Sequence, residues 1–138
     1  MLGRCATVLC VRRRHFVVAA LCVALVLPAS ADASVPQVKR AIRTVFGAHA
    51  SVALCIADRE NSYSQTAVGA AGEVSTFQIH PVWFGTRWYL RRAERPRFVR
   101  VSRATLIASP RYAAAVAYEI SRAGTDWSPW TVHAACGV

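Results

Sequence analysis

Glu60 closes an apolar helical pattern, "ASVALCIADRE", and the small-residue stretch "NSYSQTAVGAAGEVSTFQIHP" follows it. A carboxylate in the last turn of a helix meets the negative end of the backbone dipole. Partial burial against the apolar face of the same helix also disfavours the anion. Both effects raise the carboxyl pKa. A carboxylic acid still protonated near neutral pH is the group that donates a proton to a glycosidic oxygen. The competing reading is a solvated helix-end residue paired with Arg59 or another arginine. A second acid, Glu73, lies 13 positions later among glycines and alanines. It suits three roles: a second carboxylate across a cleft, as in two-acid glycosidases; a loop brace accepting backbone N–H groups; or a solvated charge.

Other side chains are weighed beside these acids. Gln78, at the far edge of the loop, is read either as a polar contact to a ligand or as a hydrogen-bonding partner of a turn backbone. Trp83 and Trp88 are candidates to stack on sugar rings, while Trp127 and Trp130 are expected in packing. His49, His80 and His133 share no metal-ligand spacing, so no metal is expected. From Gly85 to Arg103 there are seven arginines and one acid, Glu94, with aromatics between them. The segment Arg87–Arg103 is either a solvated face or a grip on an anionic polymer, a task suited to forked guanidinium groups.

These residues need a scaffold, and the 138-residue chain has room for one domain. Arg12, Arg13 and Arg14 precede an apolar run from Phe16 to Leu27, then small residues including Ala31 and Ala33. That is the order of a secretory signal peptide, read over residues 1–33, with the domain over 34–138. The remaining chain carries thirteen Lys and Arg against six acids, a net charge of +7. Export and positive charge together imply a secreted, cell-wall or periplasmic protein with an anionic partner, and argue against nucleic acid. Cys55 and Cys136 remain after the leader, an even pair that an oxidising compartment joins as a disulfide, or else two free thiols.

Helical spacing predicts "SVPQVKRAIRTVFG" with Val38, Ile42, Val45 and Phe46 inward, and "ASVALCIADRE" with Ser51 as a cap and Ala50, Ala53 and Ala57 as a close-packing stripe. "SPRYAAAVAYEISRAG" reads as a third helix, with Ser109 and Pro110 starting it, Gly124 closing it, and Ala113, Val116, Ala117 and Ile120 buried. Residues 61–76 read as loop or hairpin, and "TFQIHPVWFG" as the start of a short strand or of a helix that Pro81 interrupts. The expected class is α+β, predominantly α-helical, with a small central β-hairpin or irregular loop.

The order "VFGAHASVALCIADRENSYS…AVGAAGEVSTFQIHPVW" followed by "ASPRYAAAVAYEISRAGTDWSPW" resembles the lysozyme-like superfamily, in its soluble lytic transglycosylase and goose-type lysozyme branch. Glu60 matches that family's catalytic glutamate, Phe77, Gln78 and Ile79 its Phe-Gln-Ile element, and Pro81 and Trp83 the residues that often follow. The likeness extends from about Val38 to Cys136. It departs where the serine after the glutamate is Asn61, where Ser75-Thr76 replaces a glycine, and where the loop serine falls near Gly69. The resemblance implies a lysozyme-like fold and cleavage of the MurNAc–GlcNAc β-1,4 bond of peptidoglycan, with Glu60 as acid and then base and no cofactor. It also implies that Gln78 contacts sugar and that Tyr118 turns its hydroxyl to the cleft, the other reading of Tyr118 being a core tyrosine with a satisfied hydroxyl. Phe77, Glu73 and Trp83 are further candidates to meet the glycan strand, and the chain is expected to act as a monomer. Two alternatives stand beside this: a lysozyme-type hydrolase, and a non-catalytic cationic wall-binding protein on a degenerate lysozyme-like scaffold.

Overall fold

The computed structural model describes residues 32–138. Apart from Asp32 and Ala33, the leader assigned to residues 1–33 lies outside them. Helix α1 (Val35–Phe46) opens with Pro36 in its first turn, and the Gln37 side chain accepts the Ser34 N–H at 2.8 Å. Its Val38, Ile42, Val45 and Phe46 are buried, the face that the spacing predicts. A single 3₁₀ turn, Gly47–His49, joins it to α2 (Ala50–Asn61). Ser51 therefore lies inside a continuing helical path and does not cap α2; His49 occupies that position. The run Val35–Asn61 is long and apolar enough by length and composition to cross a membrane. Here its apolar face, including Ile42, Phe46, Ala53, Ile56 and Ala57, is part of the domain core.

Beyond the loop of residues 62–80, strands β1 (Arg87–Leu90) and β2 (Arg97–Arg100) form one antiparallel hairpin, with Tyr89 opposite Phe98 and Leu90 opposite Arg97. Residues 61–76, expected as loop or hairpin, are a loop leading from the end of α2. That stretch makes only isolated bridges, Val68 with Val74 and Val74 with Ile79. Its glycines and alanines offer little cross-strand packing, whereas the aromatic and branched side chains of "RWYL" and "RFVR" do. Leu90, fully buried, anchors the hairpin to the core.

Short helix α3 (Arg103–Ala108) follows and went unpredicted. Then comes α4 (Pro110–Ile120), whose Ser109 hydroxyl oxygen accepts the Tyr112 N–H at 3.2 Å. Every residue from Tyr112 to Ile120 is buried, not merely the expected stripe. A helix apolar around its whole girth belongs in the centre of a core, and α4 packs against α1, α3 and β1. The α-helical path ends at Ile120, short of Gly124, because Arg122 and Ala123 turn into the left-handed region and the Ala123 N–H bonds the Tyr118 carbonyl at 2.8 Å.

An aromatic cluster joins these pieces. The Phe46 ring lies 5.8 Å from Phe77, 5.4 Å from Tyr118 and 5.4 Å from Trp127. The tail is fixed twice more. Cys55 on α2 is disulfide-bonded to Cys136 in the 3₁₀ turn His133–Cys136, closing a sequence separation of 81 residues. A crosslink of that span contributes roughly 4 kcal/mol in the chain-entropy model. The Trp130 indole N–H donates to the Phe77 carbonyl at 2.7 Å.

Candidate active site

Glu60 occupies the last turn of α2, half-buried. The chain leaves the helix through two consecutive left-handed residues, Ser62 (φ 55°) and Tyr63 (φ 66°), with the Ser62 N–H on the Asp58 carbonyl and the Tyr63 N–H on the Ala57 carbonyl. Burial raises the Glu60 carboxyl above its ordinary value of 4.5, and the charge of nearby Glu73 raises it further. Among the described residues, no cation lies within ion-pair distance of Glu60 to reverse that.

The loop after α2 folds back beneath this acid. Val74 and Ile79 exchange backbone hydrogen bonds at 3.1 and 2.8 Å, closing a tight turn in which Ser75 (φ 67°) and Gln78 (φ 47°) are left-handed. The Ser75 carbonyl gathers the turn together. It accepts the Asn61 side-chain amide at 2.8 Å, the Gln78 side-chain amide at 3.1 Å and the Gln78 backbone N–H at 3.0 Å. Asn61, which replaces the resembled family's serine, thus ties the helix end to the loop. With its amide nitrogen used, Gln78 keeps its carbonyl oxygen for the other side. A Cβ on Gly69 would come within 2.5 Å of that oxygen and within 2.5 Å of Glu73 Oε2. Gly69 is therefore where the backbone leaves room for two polar side chains to converge. Glu73 is itself tied down: its Oε2 accepts the Ala71 N–H at 3.0 Å and its carbonyl accepts the Gly69 N–H at 2.8 Å.

Four of the six non-glycine residues with positive φ among the described residues, Ser62, Tyr63, Ser75 and Gln78, surround this place. Left-handed backbone in such residues costs on the order of 1 kcal/mol each, and its concentration marks a site held in shape by its surroundings.

The result is an open groove of about 330 Å³. Its lining comes from the end of α2 and the loop after it (Glu60, Gly69, Ala70, Glu73, Gln78 and His80) and from the tail (Pro129, Trp130 and Thr131). Glu60, Glu73 and Gln78, separated in sequence, come together here as expected site residues. Trp83 lies just beyond, in a small adjoining cavity of about 20 Å³ that shares Gln78, His80, Pro129 and Trp130. Two expected substrate contacts sit elsewhere. Phe77 is 0% exposed, its ring packed on Phe46, and its carbonyl accepts the N–H of the groove residue Trp130. Tyr118 is 9% exposed, set edge-on against Phe46 with the Arg92 guanidinium 5.5 Å from its ring centre, and is not part of the groove lining.

His80 and Trp130 are groove residues that sequence reasoning missed. The signal for His80 was present. Phe77 and Ile79 are buried and Gln78 and His80 are not, so apolar and polar residues alternate through "FQIH" and leave the two polar side chains outside, here on a turn and not on a strand. The same alternation places Phe77 inside. His80 Nδ1 accepts the Val82 N–H at 3.2 Å, which leaves the neutral ring's proton on Nε2. Trp130 is both a packing residue and part of the groove lining. Among the described residues, no three His, Cys, Asp or Glu side chains gather as a metal cage.

The groove can therefore deliver a proton from a half-buried carboxyl, beside an amide oxygen, an imidazole N–H and a braced second carboxylate. No protein-family model, curated protein or solved structure matches this chain.

Proposed function

We propose that the protein is an exported lysozyme-like enzyme that cleaves the β-1,4 bond between MurNAc and GlcNAc in peptidoglycan. The observation that carries this reading is the half-buried Glu60, with raised pKa and no cation partner among the described residues, in the lining of an open groove. In the proposed reaction Glu60 protonates the glycosidic oxygen as the bond breaks. The resulting carboxylate then takes the proton of the muramyl C6 hydroxyl as that oxygen closes on C1, giving a 1,6-anhydro product. Gln78 and His80 orient the glycan, and Trp83 extends the contact beyond the groove. The bond from Ala71 to Glu73 supports a one-acid design, because it gives that carboxylate a bracing task. The disulfide is consistent with an oxidising compartment.

A lysozyme-type hydrolase is the second reading, favoured by the presence of Glu73 in the same groove as Glu60. Mass spectrometry of products from purified peptidoglycan separates the two. An anhydro terminus is expected; a reducing terminus assigns the hydrolase. Wall binding with no soluble muropeptides would leave only the non-catalytic wall-binding alternative.

A further inference from the structure

We infer that a second cavity, between the hairpin tip and the start of α4, binds a phosphate-class oxyanion through Arg95, Arg97 and Arg111. It holds about 290 Å³, and Glu94, Thr105, Ser109 and Tyr112 complete its polar lining. It shares no lining residue with the groove, so the inference does not rest on the chemistry proposed there.

Three observations converge. First, the cations arrive from separate elements: Arg95 from the hairpin turn, Arg97 from β2 and Arg111 from the first turn of α4. Among the described residues none of the three makes an ion pair, whereas Arg91 and Arg122 each do. Like charges gathered around a concavity repel one another, and an anion relieves that cost. Second, the Arg111 Nε is buried without a hydrogen-bond partner. The Nε–H itself does not open on the cavity, but its burial fixes the Arg111 guanidinium at the cavity wall without a salt bridge among the described residues. Third, the cavity meets the positive end of the 11-residue helix α4. Ser109 already accepts the Tyr112 N–H through its hydroxyl oxygen, which leaves its O–H proton to donate outward.

Glu94 also lines the cavity, so three guanidinium groups face one carboxylate, a local net charge of +2. Forked donors approaching from separate elements, with hydroxyls between them, suit a tetrahedral multivalent anion better than a planar monovalent carboxylate. An adjoining cavity of about 340 Å³ shares Glu94, Ser109 and Arg111, giving room for the rest of a phosphodiester.

The test is an NMR titration of the disulfide-bonded protein with inorganic phosphate, at fixed ionic strength, against acetate and chloride. Saturable shifts at the Nε–H groups of Arg95, Arg97 and Arg111 are expected, with clearly weaker binding of acetate. Arg97→Gln and Arg111→Gln should each weaken phosphate binding about tenfold, the loss of one charge-assisted hydrogen bond. Glu94→Gln should strengthen it, a sign that a merely structural role for the cluster does not predict. Arg97 is exposed on β2, so its variant carries the test if Arg111→Gln does not fold. Binding to soluble poly(glycerol phosphate) and to phosphatidylglycerol vesicles then distinguishes a wall polymer from a lipid headgroup, and dependence on Arg97 in either supports the site. Acetate binding as tightly as phosphate would overturn the inference, as would unchanged phosphate affinity in Arg97→Gln.

Discussion

Glu60 and Glu119 are both the penultimate residue of a helix, at the end where the backbone dipole opposes a negative charge. The protein treats them oppositely. Glu119 is buried, yet its carboxylate accepts the Arg91 backbone N–H at 3.0 Å and the Arg91 guanidinium at 2.7 to 3.2 Å. That ion pair staples the hairpin to α4 across 28 residues of sequence. Glu60 is less buried, has no cation partner among the described residues, and has Glu73 as its charged neighbour. One carboxylate is compensated until it is a structural tie. The other is left uncompensated, so that its proton is held more tightly than in water. An unfavourable helix end is thus a neutral starting point, and the partners supplied by distant elements decide its use.

The largest effect should come from Glu60→Gln. Loss of the proton donor is expected to lower turnover on purified peptidoglycan by about 10³-fold, with the melting temperature unchanged or slightly raised, because the carboxylate contributes no ion pair. A Glu60→Gln variant that keeps wild-type turnover would remove the chemical half of the comparison. Gly69→Ala should come next. Its methyl group would displace the ends of Gln78 and Glu73, and misplacing positioning groups by about 1 Å lowers rates by about 10²-fold. Displacing Glu73 Oε2 also loosens its bond from the Ala71 N–H, a loss of about 1 kcal/mol, so the circular-dichroism melt should fall by about 5 °C.

Glu119→Gln should show the reverse pattern. Losing the charge-assisted bonds to Arg91 is expected to cost about 2 kcal/mol in denaturant unfolding. Activity per folded molecule should be retained. If turnover falls while stability holds, Glu119 and Glu60 are not divided as described.

Half of this contrast could be read before folding. Apolar spacing delivers Glu60 to a helix end and marks α1, α2 and α4, because each of those patterns is local to a few turns. The loop that returns Gln78 beneath Glu60 is hinted at by its small residues. Arg91–Glu119 was not legible, since one arginine among seven in its segment gains a partner only when the hairpin docks on α4. Phe77 was expected at the glycan, although the apolar and polar alternation in "FQIH" sets Phe77 inside. Of the two readings of Tyr118, cleft or core, the burial fits the core. Tyr118 lies on a helix buried all round, and sequence periodicity gave only one face of it. The strand pair at residues 87–100 was not legible because arginines obscure a strand pattern carried by the aromatics between them.

The smallest expected effect isolates the electrostatic link between the two groove acids. The charge of Glu73 is the second cause raising the Glu60 pKa, after burial. A general acid works while protonated, so activity should fall as pH rises through the Glu60 pKa, which lies above 4.5. Glu73→Gln removes the repulsion and should move that limb to lower pH, leaving it still above 4.5 because burial remains the larger cause. Stability carries the matching sign. A carboxyl with a raised folded pKa favours the folded state fully below its unfolded pKa, and that contribution is lost as pH rises through the folded pKa. Wild-type protein should therefore lose stability relative to Glu60→Gln across that window, and in a Glu73→Gln background the loss should be smaller. Equal losses in both backgrounds would mean that the two carboxylates do not sense each other, leaving burial alone to hold the proton on Glu60.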